Sequence, residues 1–116
     1  MSDSLNQLAQ RLKDFAQARD WGQFHSPKNL ASALIVEAGE LLEHFQWLTE
    51  DQSRQLDADK KEAVALEMAD VLLYLIQMSN ELGVDLVDAA RRKVVLNEQK
   101  YPVEQARGSS KKYDAH

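Results

Sequence analysis

Cysteine is absent from this 116-residue chain, which excludes a disulfide framework and a thiolate zinc site and fits a reducing compartment. Only two prolines and four glycines interrupt apolar residues that recur every three or four positions. Strand-like alternation is missing, so the pattern predicts an all-α domain. No run of about 18 uninterrupted apolar residues occurs, and the first twenty residues lack the basic start and apolar block of a signal peptide. A soluble, cytoplasmic protein is therefore expected. A basic surplus is lacking too: 14 Lys and Arg against 19 Asp and Glu give a net charge of -5, which argues against a general nucleic-acid coat. A small phosphorylated ligand stays compatible with that charge, because basic residues gather late in the chain, at Arg91, Arg92, Lys93, Lys100, Arg107, Lys111 and Lys112. The length suits one core and is too short for two.

What is present reads as four helices. The first begins at Ser4, whose spacing to Gln7 makes a capping box. It carries Leu5, Leu8, Leu12 and Phe15 on one face and ends near Asp20. Trp21 to His25 is a short aromatic loop. Ser26 and Pro27 then start a second helix running to about Leu48. Residues 49–58 form a polar connection with room for a brief helical turn. A third helix begins near Asp59 and stops at Gly83, and Asp85 caps a fourth that Pro102 ends. Residues 1–102 make the helical domain and 103–116 a mobile basic tail.

Two acidic pairs stand out: Glu37-x-x-Glu40 and Glu67-x-x-Asp70. Residues three apart on a helix are neighbours, so each pair can grip one side of an ion. Both lie in apolar settings. Glu37 falls beside Leu34, Leu41 and Leu48, and Glu67 and Asp70 open a segment that is apolar on nearly every side as far as Leu82. Unpaired carboxylates buried there would repel one another and take up protons, a conflict that a divalent cation removes. Oxygen-only ligands favour Mg2+ or Mn2+ over zinc or copper. The Glu-x-x-His element of di-iron bundles is missing, since His44 follows Glu40 by four residues.

Trp21, Phe24, His25 and Trp47 flank the second helix and form either a slot for a nucleobase or ordinary packing at helix ends. From Glu40 to Trp47 the helix rises about 10 Å, roughly the distance from a metal-bound phosphate to its base. Lys93, Asn97 and Tyr101 recur every four residues on the fourth helix, giving either donors for a phosphate and a sugar or base edge, or a polar margin. Tyr74, one turn after Asp70, either places a hydroxyl near the metal or packs.

Together with the acidic pairs, Asp20-Trp21-Gly22-Gln23-Phe24-His25, Pro27-Lys28-Asn29-Leu30, Phe45-Gln46-Trp47, Asp70-Val71-Leu72-Leu73-Tyr74-Leu75, Tyr101-Pro102 and Ala106-Arg107-Gly108-Ser109-Ser110 resemble the MazG-like nucleoside triphosphate pyrophosphohydrolases, in particular their dCTP pyrophosphatase branch. The resemblance spans roughly residues 5 to 113. It implies a four-helix catalytic domain and Mg2+-dependent hydrolysis of a deoxynucleoside triphosphate between its α and β phosphates. By position, Glu37, Glu40, Glu67 and Asp70 would hold the metal, and Trp21 and Trp47 would bracket the base. His25, Tyr74, Lys93 and Asn97 would line the nucleotide pocket. One departure is Leu12, where some dCTP-preferring relatives carry a histidine.

An all-round apolar third helix is more than a lone four-helix chain would bury, so a homo-oligomer is expected. The resemblance adds dimers or tetramers whose neighbouring subunits complete each pocket, with the tetramer favoured. Two further classes fit the same residues: a nucleotide-binding sensor without turnover, and a helical interaction module without a metal.

Overall fold

The computed structural model describes residues 4–108, and every regular element among them is helical: α1 (Leu5–Ala18), a 3-10 turn (Gly22–Phe24), α2 (Pro27–Glu43), α3 (Glu50–Ser53), α4 (Ala58–Leu82), α5 (Leu86–Lys100) and α6 (Val103–Ala106). The all-α expectation holds, with four long helices. They form two compact units, one reaching to Val84 and the other beginning at Asp85.

Helix boundaries follow local chemistry. The Ser4 and Gln7 capping box forms in both directions, with Ser4 N donating to Gln7 Oε1 at 2.7 Å and Gln7 N to Ser4 Oγ at 3.2 Å. Ser26 Oγ accepts from Asn29 N at 3.1 Å, and Pro27 occupies the first turn of α2. Asp57 caps α4 through Lys60 N at 2.8 Å, and Gly83 ends it with φ of 66° as Val84 N reaches back to Ser79 O at 2.9 Å. That is the left-handed stop at which glycine carries no steric penalty.

Two boundaries differ from expectation. Helix α2 stops at Glu43 rather than near Leu48, and the chain turns through His44 to Trp47. Phe45 N bonds Leu42 O at 2.9 Å, and Leu48 N bonds Phe45 O at 2.9 Å. These tighter bonds bring the chain to an extended Thr49, whose capping box with Gln52 starts α3. The second difference is α6, which gives part of the expected tail a helical turn that starts at Pro102, φ -59°. Residues 109–116 of that tail, Lys111 and Lys112 among them, lie outside the described residues.

In the first unit α4 packs on both α2 and α1. Its buried apolar residues are Leu30 on α2 and Val64 and Ile76 on α4, each removing from water a side chain worth about 1.5–3 kcal/mol. Asn80 Nδ2 donates to Ala9 O at 3.1 Å and ties α4 to α1. Many large apolar side chains remain outside this small core, among them Ile35, Leu66 and Met68. No helix among the described residues is long and apolar enough to cross a membrane. In the second unit, α5 begins at Asp85, whose side chain accepts from Asp88 N at 3.0 Å.

Candidate functional site

Packing α2 on α4 joins the two acidic pairs. Glu37, Glu67 and Asp70 each offer a carboxylate oxygen within 4.8 Å of the others. The Oε2 atoms of Glu37 and Glu67 are buried and have no hydrogen-bond partner. Two carboxylates can satisfy each other only by trapping a proton. The Glu37 carboxyl is accordingly pushed above the usual carboxylate range, first by its hydrogen-bonding approach to Glu67 and then by burial and the charges of Glu67 and Asp70, against an opposing contact from Glu40. Glu40 is exposed and stands one turn from Glu37, which raises its proton affinity chiefly by the same kind of contact. It lies beside the trio rather than within it. Orphaned buried oxygens with no cationic side chain among them fit a hard divalent cation, which would replace the trapped proton.

Next to the trio is a cavity of about 340 Å³, lined by Leu12 and Phe15 of α1, Trp21 and His25 of the loop, and Asp70, Leu73, Tyr74 and Gln77 of α4. Asp70 belongs to both features, so the carboxylates open directly onto an aromatic pocket. The loop is held by backbone geometry: Asp20 takes φ of 52°, which lets Trp21 N return to Ala16 O at 2.9 Å. Few residues other than glycine, asparagine and aspartate adopt that conformation readily. Trp21 meets Phe15 edge-to-face at 5.5 Å and His25 at 6.4 Å, and the Arg19 guanidinium covers the Phe15 ring at 3.6 Å. Asn29 Nδ2 secures the far end of the loop by donating to Phe24 O at 3.1 Å.

The MazG-like family profile matches residues 33–115, a span that takes in both acidic pairs. The chain belongs to the MazG-like family. It is 44% identical over 102 residues to dCTP pyrophosphatase 1 of Homo sapiens and 45% identical to that of Mus musculus, in each case covering 86% of this chain and 60% of the relative. It thus spans less than two thirds of the length of these mammalian MazG-like relatives. In three dimensions it is similar to a pyrophosphatase from Archaeoglobus fulgidus, with a TM-score of 0.80, 36% identity, and coverage of 88% of this chain and 95% of the other.

Within this MazG-like chain the fold gathers Glu37, Glu67 and Asp70 with Glu40 alongside, and it lines the cavity with Trp21, His25 and Tyr74. Trp47 is not on that wall: it sits in the turn after α2 with 87% of its surface exposed. Lys93 and Asn97 lie exposed on α5, in the second unit. Phe15, Leu73 and Gln77 were not singled out as pocket residues from the sequence. The spacing held the signal, since Leu73, Tyr74 and Gln77 follow Asp70 by three, four and seven residues on one helix stripe.

Proposed function

We propose that this MazG-like chain is a nucleotide pyrophosphohydrolase that cleaves a deoxynucleoside triphosphate, with dCTP or a related cytosine nucleotide favoured, to the monophosphate and pyrophosphate. The observation that carries the reading is the double membership of Asp70, in the carboxylate trio and in the aromatic pocket wall. That adjacency suits a ligand with a charged, metal-seeking end and a flat apolar end. The name of the mammalian relatives, dCTP pyrophosphatase 1, supports this reaction, and that of the archaeal relative, a pyrophosphatase, supports its class.

In this reading Glu37, Glu67 and Asp70 hold Mg2+, or Mn2+ in its place, and Glu40 completes the set. The ion supplies neutralisation of phosphate charge and a more acidic water. Trp21 stacks on the base while Leu12, Phe15 and Leu73 keep water from its faces. Tyr74, one turn from Asp70, presents its hydroxyl between the base and phosphate ends of the pocket. Glu40, exposed beside the trio, is the carboxylate that orients the attacking water or accepts its proton.

Following the family resemblance, Trp47, Lys93 and Asn97 complete the nucleotide pocket, and they do so in a homo-oligomer, with a tetramer favoured over a dimer. The exposed apolar side chains of α2 and α4 support such an assembly. Residues 1–102 act as the catalytic domain. The setting is the cytoplasm, where the enzyme clears unwanted nucleotides from the pool.

The test is incubation with each deoxynucleoside triphosphate and Mg2+, followed by detection of monophosphate and pyrophosphate. Equimolar release of both, abolished by chelation, is the expected result. Tight nucleotide binding with no product would make the chain a sensor, and neither binding nor product would leave an interaction module.

A further inference from the structure

We propose that Gln77 takes the hydrogen-bonding edge of the base and thereby sets which bases the site accepts; this rests on the reading of the aromatic cavity as a base slot. Gln77 lies seven residues beyond Asp70 on the same stripe of α4, about 10 Å along the helix at 1.5 Å per residue. That is the distance at which a nucleotide whose phosphates sit at Asp70 presents its base.

The cavity offers few alternatives. Leu12, Phe15 and Leu73 have no hydrogen-bonding side-chain atoms. Asp70 belongs to the carboxylate trio, and Tyr74 lies only four residues from it, toward the phosphate end. His25 carries its two nitrogens on different sides of a ring already set against Trp21. Gln77 alone supplies a donor and an acceptor side by side, matching two adjacent positions on a base edge. Its neighbour Asn80 commits its amide to Ala9 O, whereas no other described residue engages the half-buried amide of Gln77. Gln77 also borders a second, more polar cavity of about 450 Å³ with Gln10, Asn80 and Glu81, so the amide stands where the apolar slot gives way to polar surroundings.

An amide turned by 180° exchanges its donor and acceptor. One orientation meets the amine and ring nitrogen of cytosine, and the other meets the carbonyl and imino N–H of thymine. Because no other described residue fixes the Gln77 amide, this residue reads a pyrimidine edge without rejecting either pattern. A carboxylate in its place only accepts, so it can take the outer N–H of the cytosine amine clear of the ring nitrogen, whereas the single edge N–H of thymine lies between two carbonyl oxygens that repel it.

The experiment is calorimetric titration of dCMP and dTMP, with Mg2+ present, into the wild-type protein, Gln77→Leu and Gln77→Glu, run beside pyrophosphate release from dCTP and dTTP. The wild type is expected to bind both monophosphates within about tenfold of each other. Gln77→Leu should weaken both by about tenfold, and Gln77→Glu should raise the dCMP to dTMP affinity ratio by about tenfold, the scale of one lost or mismatched hydrogen bond. Affinities and ratio within about twofold of wild type in both folded variants would overturn the assignment, as would a wild type that binds neither nucleotide. If Gln77→Glu does not fold, the Gln77→Leu affinities decide. A shifted ratio without pyrophosphate release from the wild type sustains Gln77 as base reader while refuting hydrolysis, and release with unmoved affinities does the reverse.

Discussion

Glu37 on α2 and Glu67 on α4 face each other with one buried, unpartnered oxygen apiece. The arrangement is unfavourable in the metal-free protein and becomes favourable once a cation sits between them. Mg2+ should therefore raise the melting temperature and chelation should lower it, with a saturating ligand at a hundredfold excess over its Kd adding about 2.7 kcal/mol. Glu67→Gln places an amide donor opposite Glu37, so the metal-free variant should melt higher than the metal-free wild type while losing the response to Mg2+. An unchanged Mg2+ response in scanning calorimetry of that variant would remove Glu67 from the site.

The same pair predicts a pH dependence. Glu37 has its proton affinity raised by the fold, so the folded state binds the proton more tightly than the unfolded chain does. The stabilisation from that proton is fully present below the unfolded carboxylate range and is lost as pH rises through the raised value. Metal-free protein should thus lose stability between mildly acidic and neutral pH, and Glu37→Gln should flatten that loss. Protons and Mg2+ compete for the same oxygens, so apparent Mg2+ affinity should fall as pH is lowered through this window. Melting curves across pH, with and without Mg2+, check both signs.

Glu40 provides the test of chemistry apart from assembly. It is exposed and outside the closest carboxylate trio, so Glu40→Gln should leave the helices and the melting temperature close to wild type. Turnover should nevertheless fall by about a hundredfold or more, the scale of a lost proton acceptor. Wild-type kcat in the variant would refute its role.

Much of this architecture was legible because it is local. Ser4, Ser26, Gly83 and Asp85 mark helix ends through bonds to residues three or four positions away, and a three-residue spacing makes each acidic pair adjacent. The early end of α2 was not legible, since apolar periodicity continues through Phe45 and Leu48 while the Thr49 capping box sets an extended chain just beyond. The joining of Glu37 to Glu67 depends on how α2 lies on α4, which periodicity within one helix does not encode. The pocket role of Phe15 was hidden for the same reason: its partners come from other elements.

Asp20 links backbone strain to the pocket. Its φ of 52° is the conformation in which a side chain costs about 1–2 kcal/mol unless it is short and polar. Asp20→Ala should destabilise the protein by about 1 kcal/mol, whereas Asp20→Gly should be close to neutral or stabilising. Because Trp21 follows directly, Asp20→Ala should also weaken nucleotide binding more than Asp20→Gly does. Equal binding by the two variants would show that the loop finds its position without this residue.

The small core bears on assembly. Ile35, Leu66 and Met68 are 70%, 61% and 57% exposed, and an isolated soluble chain would bring these α2 and α4 side chains into contact with water throughout its lifetime. Burying them against further copies stabilises each by up to about 1.5–3 kcal/mol relative to full exposure, an advantage multiplied by symmetry because every copy contributes the same face. Light scattering of the wild type at micromolar concentration should give a mass above that of one chain. Leu66→Glu introduces a charge on that face that water solvates and an apolar interface does not, so the variant should dissociate to smaller species. If catalysis draws Trp47 from a neighbouring copy, turnover should fall with the measured mass even though the Glu37, Glu67 and Asp70 trio is untouched. A fully active monomer would instead show that one chain completes its own pocket.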